Sequence, residues 1–351
     1  MRTPWTLVTG ASGFIGSMVV RKLIERGVPV KAFVRPGASL EPFEGLSPDR
    51  FQLAYGDILV SHTIYRALAQ CDRMYHVASA FRYWSRRPSD IIDPAVAGTR
   101  AALEAARRRD LARVVVTSSC AVLGTTGSEE PMDEQHENNL TDPEIYVRAK
   151  IEADRVVAEG VDAGLPLISV LPSAVFGPGD RKPTPNGHSL LSYLKLSPHR
   201  KVPATDGGVS VVDVEDVAEG HILAMEKGRV GERYILGGEN LTYRDLFQLA
   251  HELTGLAEPG GAPSPGLVRL AGRVLELGAR WTGKDPILTY RLARDYAYGR
   301  VWVTSAKAEQ ELGYSHRPAR ETLARAIRFY LANGYVPQPI TRRIRLELRP
   351  V

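Results

Sequence analysis

Three glycines separate the first apolar run of the chain from its first helical pattern. The sequence VTGASGFIG places Gly10, Gly13 and Gly16 at this junction. The first permits a tight turn, the second lets backbone approach a pyrophosphate, and the third lets the helix pack closely on the strand. Free N–H groups near Phe14 and Ile15 then face anionic oxygens, with the helix dipole behind them. The spacing predicts a dinucleotide-binding turn, and a purely structural glycine-rich turn is the alternative.

Short apolar runs alternate with helical patterns over the first two-thirds of the chain. Such runs occupy residues 6–8, 30–34, 74–77, 114–117 and 167–171, and they are rich in β-branched residues. Nearly continuous apolar runs are expected of strands that are buried on both faces. The alternation therefore predicts an α/β fold, a doubly wound parallel sheet of the Rossmann type with helices on both sides.

The rhythm of strands and helices breaks after Gly177, where the loop GPGDRKPTPNGHS begins. We therefore predict a nucleotide-binding Rossmann domain over residues 1–176, with further strands and helices returned from about 209–236. Residues 177–351 are predicted to form mainly a smaller C-terminal α/β lobe that binds substrate. The length of the chain, 351 residues, suits one large domain with a smaller partner.

An arginine follows the second predicted strand, where an acid is usual in proteins that bind NAD. In FVRPG this residue is Arg35, and a guanidinium pairs with a ribose 2'-phosphate that a carboxylate would repel. The sequence therefore favours NADP(H) over NAD, and a solvated surface arginine is the alternative. Asp57, in YGDI after the third strand, is placed to contact the adenine.

A tyrosine and a lysine lie four residues apart at the start of a predicted helix. Tyr146 and Lys150 in YVRAK therefore share one helix face. A free phenol has a pKa of about 10, and a nearby ammonium is expected to lower it. Ser119, in TSSCAVLG after the fifth strand, could hold a substrate oxygen while Tyr146 exchanges a proton with it. We predict that these three residues are the catalytic trio.

Composition and charge exclude several functional classes. The chain has 45 Lys+Arg and 40 Asp+Glu, a net charge of +5, and no long basic run interleaved with aromatics, so nucleic acid is not a predicted partner. Cys71 and Cys120 form no CxxC, and no Cys/His cluster predicts a metal site. No signal sequence precedes the first strand, and no apolar run approaches the roughly 20 residues of a membrane span. We expect a cytoplasmic protein that acts on a small molecule.

With the glycine motif, the serine strand and YxxxK in this order, the chain resembles the extended short-chain dehydrogenase/reductases, including the NAD-dependent epimerase/dehydratase group. The resemblance implies a Rossmann domain with a smaller C-terminal substrate lobe. It also implies that Lys150 holds the nicotinamide ribose and that residues 172–175 line the nicotinamide. The predicted cofactor-binding residues are Gly10, Gly13, Phe14, Ile15, Gly16, Arg35, Asp57, Ile58, Ala78, Ser79, Thr117, Tyr146, Lys150, Pro172 and Val175.

Two branches of that family compete. HVASAF and DPAVAGT at 93–99 resemble the dihydroflavonol and cinnamoyl-CoA reductases, whereas residues 177–187 and 220–242 are similar to the hopanoid-associated sugar epimerases. Arg35 favours net reduction with NADPH, and Cys120 stands where sugar dehydratases have an acid. The favoured interpretation is therefore a reductase of ketones or aldehydes. A sugar epimerase is the first alternative, and a non-catalytic NADP-binding sensor is the second, which the intact trio disfavours.

Aromatic residues follow the fourth predicted strand. Phe81, Tyr83 and Trp84 suit a ring or an isoprenoid body, and packing against the second lobe is an equal alternative. The remaining predicted substrate-binding residues are Ser119, Ala121, Tyr146 and Asn186.

Two further apolar patterns occur near the C-terminus. A stripe at helical spacing includes Leu267, Leu270, Ala271, Val274, Leu275 and Trp281. We predict core packing or a substrate lid for this stripe in preference to membrane contact. At 344–349, apolar and charged residues alternate, which predicts a strand. Edge pairing is the favoured role for that strand, and a homodimer or membrane-surface contact is the alternative.

Overall fold

The computed structural model of the chain describes residues 4–79, 84–283 and 285–344. Strands and helices alternate regularly over the first half of the chain. The elements of this half are β1 (Trp5–Thr9), α1 (Phe14–Glu25), β2 (Val30–Val34), β3 (Phe51–Tyr55), α2 (Ser61–Ala67), β4 (Cys71–His76), α3 (Ser89–Arg108), β5 (Arg113–Thr117), α4 (Ile145–Asp162) and β6 (Leu167–Pro172). Short 3-10 turns lie at Glu41–Phe43 and Cys120–Leu123.

The second half mixes short strands with helices. Its elements are β7 (Ala174–Phe176), α5 (Pro185–Leu196), β8 (Gly208–Asp213), α6 (Val214–Lys227), β9 (Arg233–Leu236), β10 (Glu239–Thr242), α7 (Tyr243–Thr254), α8 (Pro265–Thr282), α9 (Tyr290–Asp295), β11 (Arg300–Val301), α10 (Ala306–Leu312), α11 (Ala319–Ala332) and α12 (Gln338–Thr341). The predicted strand at 344–349 lies almost wholly outside the described residues.

Seven strands form the main sheet in the order β3-β2-β1-β4-β5-β6-β9, and every neighbouring pair is parallel. The predicted doubly wound fold is confirmed. Successive strands extend the sheet in opposite directions from β1: β2 and β3 lie on one side of it, and β4, β5 and β6 lie on the other. The carboxyl ends of β1 and β4 therefore border a crevice. Ligands of open α/β sheets bind in such a crevice, which is where β1 runs into the glycine turn.

A second, smaller sheet contains β10, β8 and β11, with β7 paired to β8. The strand at 208–213, which the sequence assigned to the returned part of the Rossmann domain, therefore belongs to this second sheet. Residues 174–176, at the end of the predicted first domain, also belong to it. Of the segment predicted to return, β9 joins the main sheet and α6 packs on it. The two regions thus interleave along the chain, because parallel strand pairing joins segments that are distant in sequence.

The core is divided by the main sheet, because successive strand side chains point to opposite faces. Val8 packs with α1 and α6 on one face, and Leu7 packs with α2, α3 and α4 on the other. A third cluster fills the second lobe and includes Phe176, Tyr193 and Tyr330. Within the described residues, no helix is long and apolar enough to cross a membrane.

The structure contradicts the core packing that was predicted for the apolar stripe on α8. Core packing is wrong for most of this helix: Val274 is 62% exposed and Trp281 is 85% exposed, while only Gly272 and Ala279 are buried. The reason is the contact with α9, where a Cβ on Gly272 would lie 2.7 Å from the carbonyl oxygen of Thr289. The small residues therefore face the protein, and the large apolar residues face solvent.

A buried histidine on α6 predicts the acid sensitivity of the fold. His221 Nδ1 donates to the Val217 carbonyl oxygen (2.7 Å), and Nε2 accepts from the Thr117 hydroxyl (2.9 Å). Burial lowers the pKa of His221 to about 4. The unfolded chain therefore takes up this proton first as the pH falls below about 6.5, and stability is lost between there and about pH 4.

We expect His221→Gln to reduce the loss of unfolding free energy between pH 7 and pH 5 by about 2 kcal/mol. Urea denaturation at the two pH values measures this loss. His62→Gln, at an exposed position on α2, is the matched control and should keep the wild-type loss. An unchanged loss in His221→Gln would mean that His221 is not held neutral by the fold.

Candidate active site

The turn between β1 and α1 is built by close backbone contacts. Gly10 has a φ of +66°, and a Cβ there would lie 2.7 Å from the backbone nitrogen of Ala78. A Cβ on Gly16 would lie 2.2 Å from the Gly10 carbonyl oxygen, so α1 approaches the turn as closely as glycine permits. The predicted roles of these two glycines in the turn and in helix packing therefore agree with the geometry.

The start of α1 fits a pyrophosphate group. Gly13 precedes the helix in an extended conformation, and no described side chain caps its first N–H groups. The first N–H groups of an α-helix have no partner within the helix, and the positive end of its dipole lies beside them. Phe14 and Ile15 would hold the phosphate oxygens of a dinucleotide here through their backbone.

The residues predicted to contact the adenosine end follow β2 and β3. Arg35 comes directly after β2, and its side chain is exposed. The Asp57 carboxylate accepts the N–H of Leu59 at 2.9 Å, and the Thr63 hydroxyl donates to the Asp57 carbonyl oxygen at 2.9 Å. Ile58 packs against α3, where a Cβ on Gly98 would lie 2.9 Å from it. These residues therefore share the carboxyl edge of the sheet with the glycine turn.

The predicted catalytic trio comes together at the start of α4. Tyr146 lies in its first turn and is 6% exposed, and the Ser119 side chain is near enough to lower its pKa. Ser119 precedes the turn at 120–123 and accepts the Ala121 N–H at 3.2 Å. One helical turn after Tyr146, the Lys150 Nζ donates to the Thr117 carbonyl oxygen at 3.0 Å. The C-terminal end of β5 and the N-terminal end of α4 thus place a hydroxyl, a phenol and an ammonium group in one cluster.

Burial sets the protonation of the phenol and the ammonium. It raises the pKa of Tyr146 to about 12, against the lowering effect of the Ser119 hydrogen bond. It lowers the pKa of Lys150 to about 8, against the raising effect of the Asp154 carboxylate. The structure differs from the prediction that Lys150 lowers the pKa of Tyr146, because burial raises this pKa and Lys150 is not among the groups that shift it. At neutral pH Tyr146 is a neutral phenol, which is a proton donor.

Sequence reasoning missed two titratable residues beside the trio. His76 ends β4, its Nδ1 bonds to the Thr9 hydroxyl at 2.9 Å, and its buried Nε2 has no partner among the described residues. Burial and Lys150 lower the pKa of His76 to about 4, so it is neutral. Asp154 accepts from the Ser118 hydroxyl at 2.7 Å. Its position four residues after Lys150, on the same helix face, was the available signal.

A small internal cavity lies beside Lys150 and Asp154 at the end of β4. Its volume is about 10 Å³, and its lining includes His76, Ala78, Thr117, Lys150 and Asp154. Ala78 is also the residue that Gly10 approaches. The cavity therefore links the catalytic cluster to the end of β4, and Ser79 and Thr99 lie on its wall as well.

The other predicted site residues differ in burial and in position. Trp84 is 6% exposed, which agrees with the packing alternative, and Phe81 and Tyr83 lie outside the described residues. Asn186 is half-buried in the first turn of α5. The Cys120 thiol donates a hydrogen bond to the Leu171 carbonyl oxygen, and burial raises the pKa of the thiol. Both observations agree with a small core residue. The remaining predicted residues are Ala121, half-buried in the 3-10 turn, and the buried Pro172 and Val175 at the ends of β6 and in β7.

Comparison with known proteins extends over nearly the whole chain. Residues 6–237 match the sequence profile of the NAD dependent epimerase/dehydratase family. The sterol demethylase protein B of Methylococcus capsulatus is 31% identical over 337 residues, covering 94% of this chain and 99% of that protein.

A second relative carries a ketoreductase name. The 4-hydroxy-2-methyl-3-oxo-4-farnesyl-3,4-dihydroquinoline-1-oxide ketoreductase of Stigmatella aurantiaca is 30% identical over 333 residues, covering 92% of this chain and 95% of that protein. Among solved structures, that of gox2253 has a TM-score of 0.82 and 34% identity, covering 95% of this chain and 99% of the other. The similarity therefore includes the second lobe as well as the main sheet.

Proposed function

Because this chain belongs to the NAD-dependent epimerase/dehydratase family and is an NAD(P)-dependent oxidoreductase, we propose that it reduces ketone or aldehyde groups with NADPH. The observation that carries the proposal is the buried, neutral Tyr146 phenol, which lies near Ser119 and one helical turn from Lys150. A neutral phenol can donate the proton that carbonyl reduction requires.

The reaction needs one hydride and one proton. When bound, NADPH supplies the hydride, which goes to the carbonyl carbon. Ser119 holds the carbonyl oxygen by a hydrogen bond, and Tyr146 donates its phenolic proton to that oxygen, giving the alcohol. The Lys150 ammonium group stabilises the phenolate that remains, because opposite charges attract strongly in a buried site.

The choice of NADPH rests on Arg35. An exposed guanidinium directly after β2 can pair with a ribose 2'-phosphate through two charge-assisted hydrogen bonds. We expect Arg35→Asp to weaken NADPH binding by roughly 1 to 3 kcal/mol more than NADH binding. Fluorescence titration with each cofactor measures both dissociation constants. Arg107→Asp, on the exposed end of α3, makes the same charge change and should leave the ratio unaltered; an equal loss for both cofactors in Arg35→Asp would refute the phosphate contact.

Apolar, lipid-like carbonyl compounds are the proposed substrate class. The support is the names of two relatives, one a sterol demethylase protein and the other a ketoreductase of a farnesylated ring. The test follows NADPH absorbance with purified protein against panels of sterol, isoprenoid ketone, flavonoid, sugar and simple carbonyl compounds. Turnover confined to the apolar panels supports this class, and turnover of nucleotide sugars alone would contradict it.

A sugar epimerase is the second candidate. The similarity of residues 177–187 and 220–242 to hopanoid-associated sugar epimerases favours it. An epimerase returns its hydride within one turnover and therefore keeps NAD tightly bound. Purified protein that carries stoichiometric NAD and consumes no NADPH with any carbonyl compound would support the epimerase. Localisation in the cytoplasm and assembly as a homodimer stay predictions.

A further inference from the structure

Helix α8 presents a continuous row of large apolar side chains to solvent. We call this row the apolar face of α8; its members are Leu267, Leu270, Val274, Leu277 and Trp281, all of them exposed. Their spacing of three and four residues places them along one side of an α-helix. Ile287, in the segment that follows, is 90% exposed. Contiguous exposed apolar surface on this scale marks an interaction site.

The opposite side of α8 is already used by the fold. Gly272 and Ala279 are buried, and the Glu276 carboxylate accepts the Tyr290 N–H at 3.2 Å at the start of α9. These contacts hold the helix against α9 by its small and polar residues. The apolar face therefore points away from α9 and cannot be covered by it.

Three arginines lie along one border of the apolar face. Arg269, Arg273 and Arg280 fall between that face and the side packed on α9, as helical spacing requires. The Arg273 guanidinium lies 4.4 Å from the centre of the Tyr290 ring, which agrees with this position at the border. Against these three cations the helix contains one acid, Glu276, so its net charge is +2.

We propose that the apolar face of α8 docks on the surface of an anionic lipid membrane. An amphipathic helix that lies in the interface buries its apolar side chains at the acyl boundary, while arginines at its edge contact anionic headgroups. A second copy of this chain fits less well, because two-fold pairing would bring two surfaces of net charge +2 together. The helix is too short and too polar to span the bilayer, so it lies on the surface.

Contacts at the ends of α8 and α9 lead from this helix towards the catalytic cluster. At the C-terminal end of α8, Arg86 donates to the Arg280 carbonyl oxygen at 2.9 Å, and Arg86 lies in the segment that follows β4. Through α9, the Thr289 hydroxyl donates to Glu144 at 2.8 Å, two residues before Tyr146. Docking itself does not rest on the proposed reductase function.

The test is flotation of the full chain with large unilamellar vesicles. One set contains phosphatidylglycerol and phosphatidylcholine in equal parts, and the other contains phosphatidylcholine alone. We expect binding to the anionic vesicles to be at least tenfold stronger and to weaken as salt is raised. The triple variant Leu270→Ser, Val274→Ser, Trp281→Ser should lose at least tenfold in binding. Leu196→Ser with Val230→Ser removes exposed apolar side chains elsewhere and should bind like the wild type.

A second measurement needs only a conservative variant. Trp281 fluorescence should shift to shorter wavelength when anionic vesicles are added, and the shift should be absent in Trp281→Phe. Docking is refuted if the wild type ignores anionic vesicles, or if the folded triple variant binds as well as the wild type. It is also refuted if the triple variant only converts a dimer to a monomer. No cofactor or substrate is present in these assays, so their outcome is separate from that of the NADPH assay.

Discussion

Replacing Tyr146 by phenylalanine is expected to lower kcat/KM for carbonyl reduction by at least about 100-fold while leaving the NADPH dissociation constant nearly unchanged. The reason is that the phenol is the proposed proton donor and its ring is buried. Phenylalanine keeps the ring and removes only the hydroxyl. Steady-state kinetics and fluorescence titration with NADPH measure the two quantities.

The control for losing a buried phenolic hydroxyl is Tyr193→Phe. Tyr193 lies in the second lobe and donates to the Ala257 carbonyl oxygen at 2.7 Å, far along the chain from the trio. We expect this variant to lose stability without losing kcat. If Tyr146→Phe retains wild-type turnover, the proton comes from another group and the assignment of the trio fails.

Replacing Lys150 by methionine is expected to cost a similar factor, at least about 100-fold in kcat/KM. Methionine keeps much of the apolar stem of lysine but removes the charge proposed to stabilise the phenolate and the hydrogen bond to Thr117. In the wild type, Lys150 is an ammonium group below about pH 8 and loses its proton above it. Carbonyl reduction should therefore decline as the pH rises through about 8, and the residual activity of Lys150→Met should lack this decline.

Asp154 makes that pH dependence a sharper test. Among the described residues, the charged or titratable groups near Lys150 include Tyr146 and Asp154 on α4 itself, His76 on β4, which is neutral, and Arg233 on β9, 3.7 Å from Asp154. Because the Asp154 carboxylate raises the pKa of Lys150, Asp154→Asn should move the decline to lower pH, and Asp154→Glu should restore it. If activity declines at the same pH in Asp154→Asn as in the wild type, Asp154 neither positions Lys150 nor raises its pKa.

Local spacing was sufficient to predict the glycine turn and to select Ser119, Tyr146 and Lys150, three side chains that the fold brings together. Gly10 has a positive φ and Gly16 contacts the Gly10 carbonyl oxygen, so their pattern is visible in a short stretch of sequence, although Gly10 also closely approaches the distant Ala78. Tyr146 and Lys150 are related by one helical turn, and Ser119 follows an easily recognised strand. The resemblance to the epimerase/dehydratase family that these motifs indicated is confirmed by the profile match over residues 6–237.

Side-chain burial and long-range strand pairing could not be predicted from local spacing. The second sheet takes β7 and β8 from segments that looked like parts of the first domain, because pairing partners need not be neighbours in sequence. Helix α8 buries glycine and alanine instead of leucine, since its packing is set by the close approach of α9. Tyr146 is a neutral phenol because surrounding atoms exclude water from it, and that exclusion exists only in the folded chain.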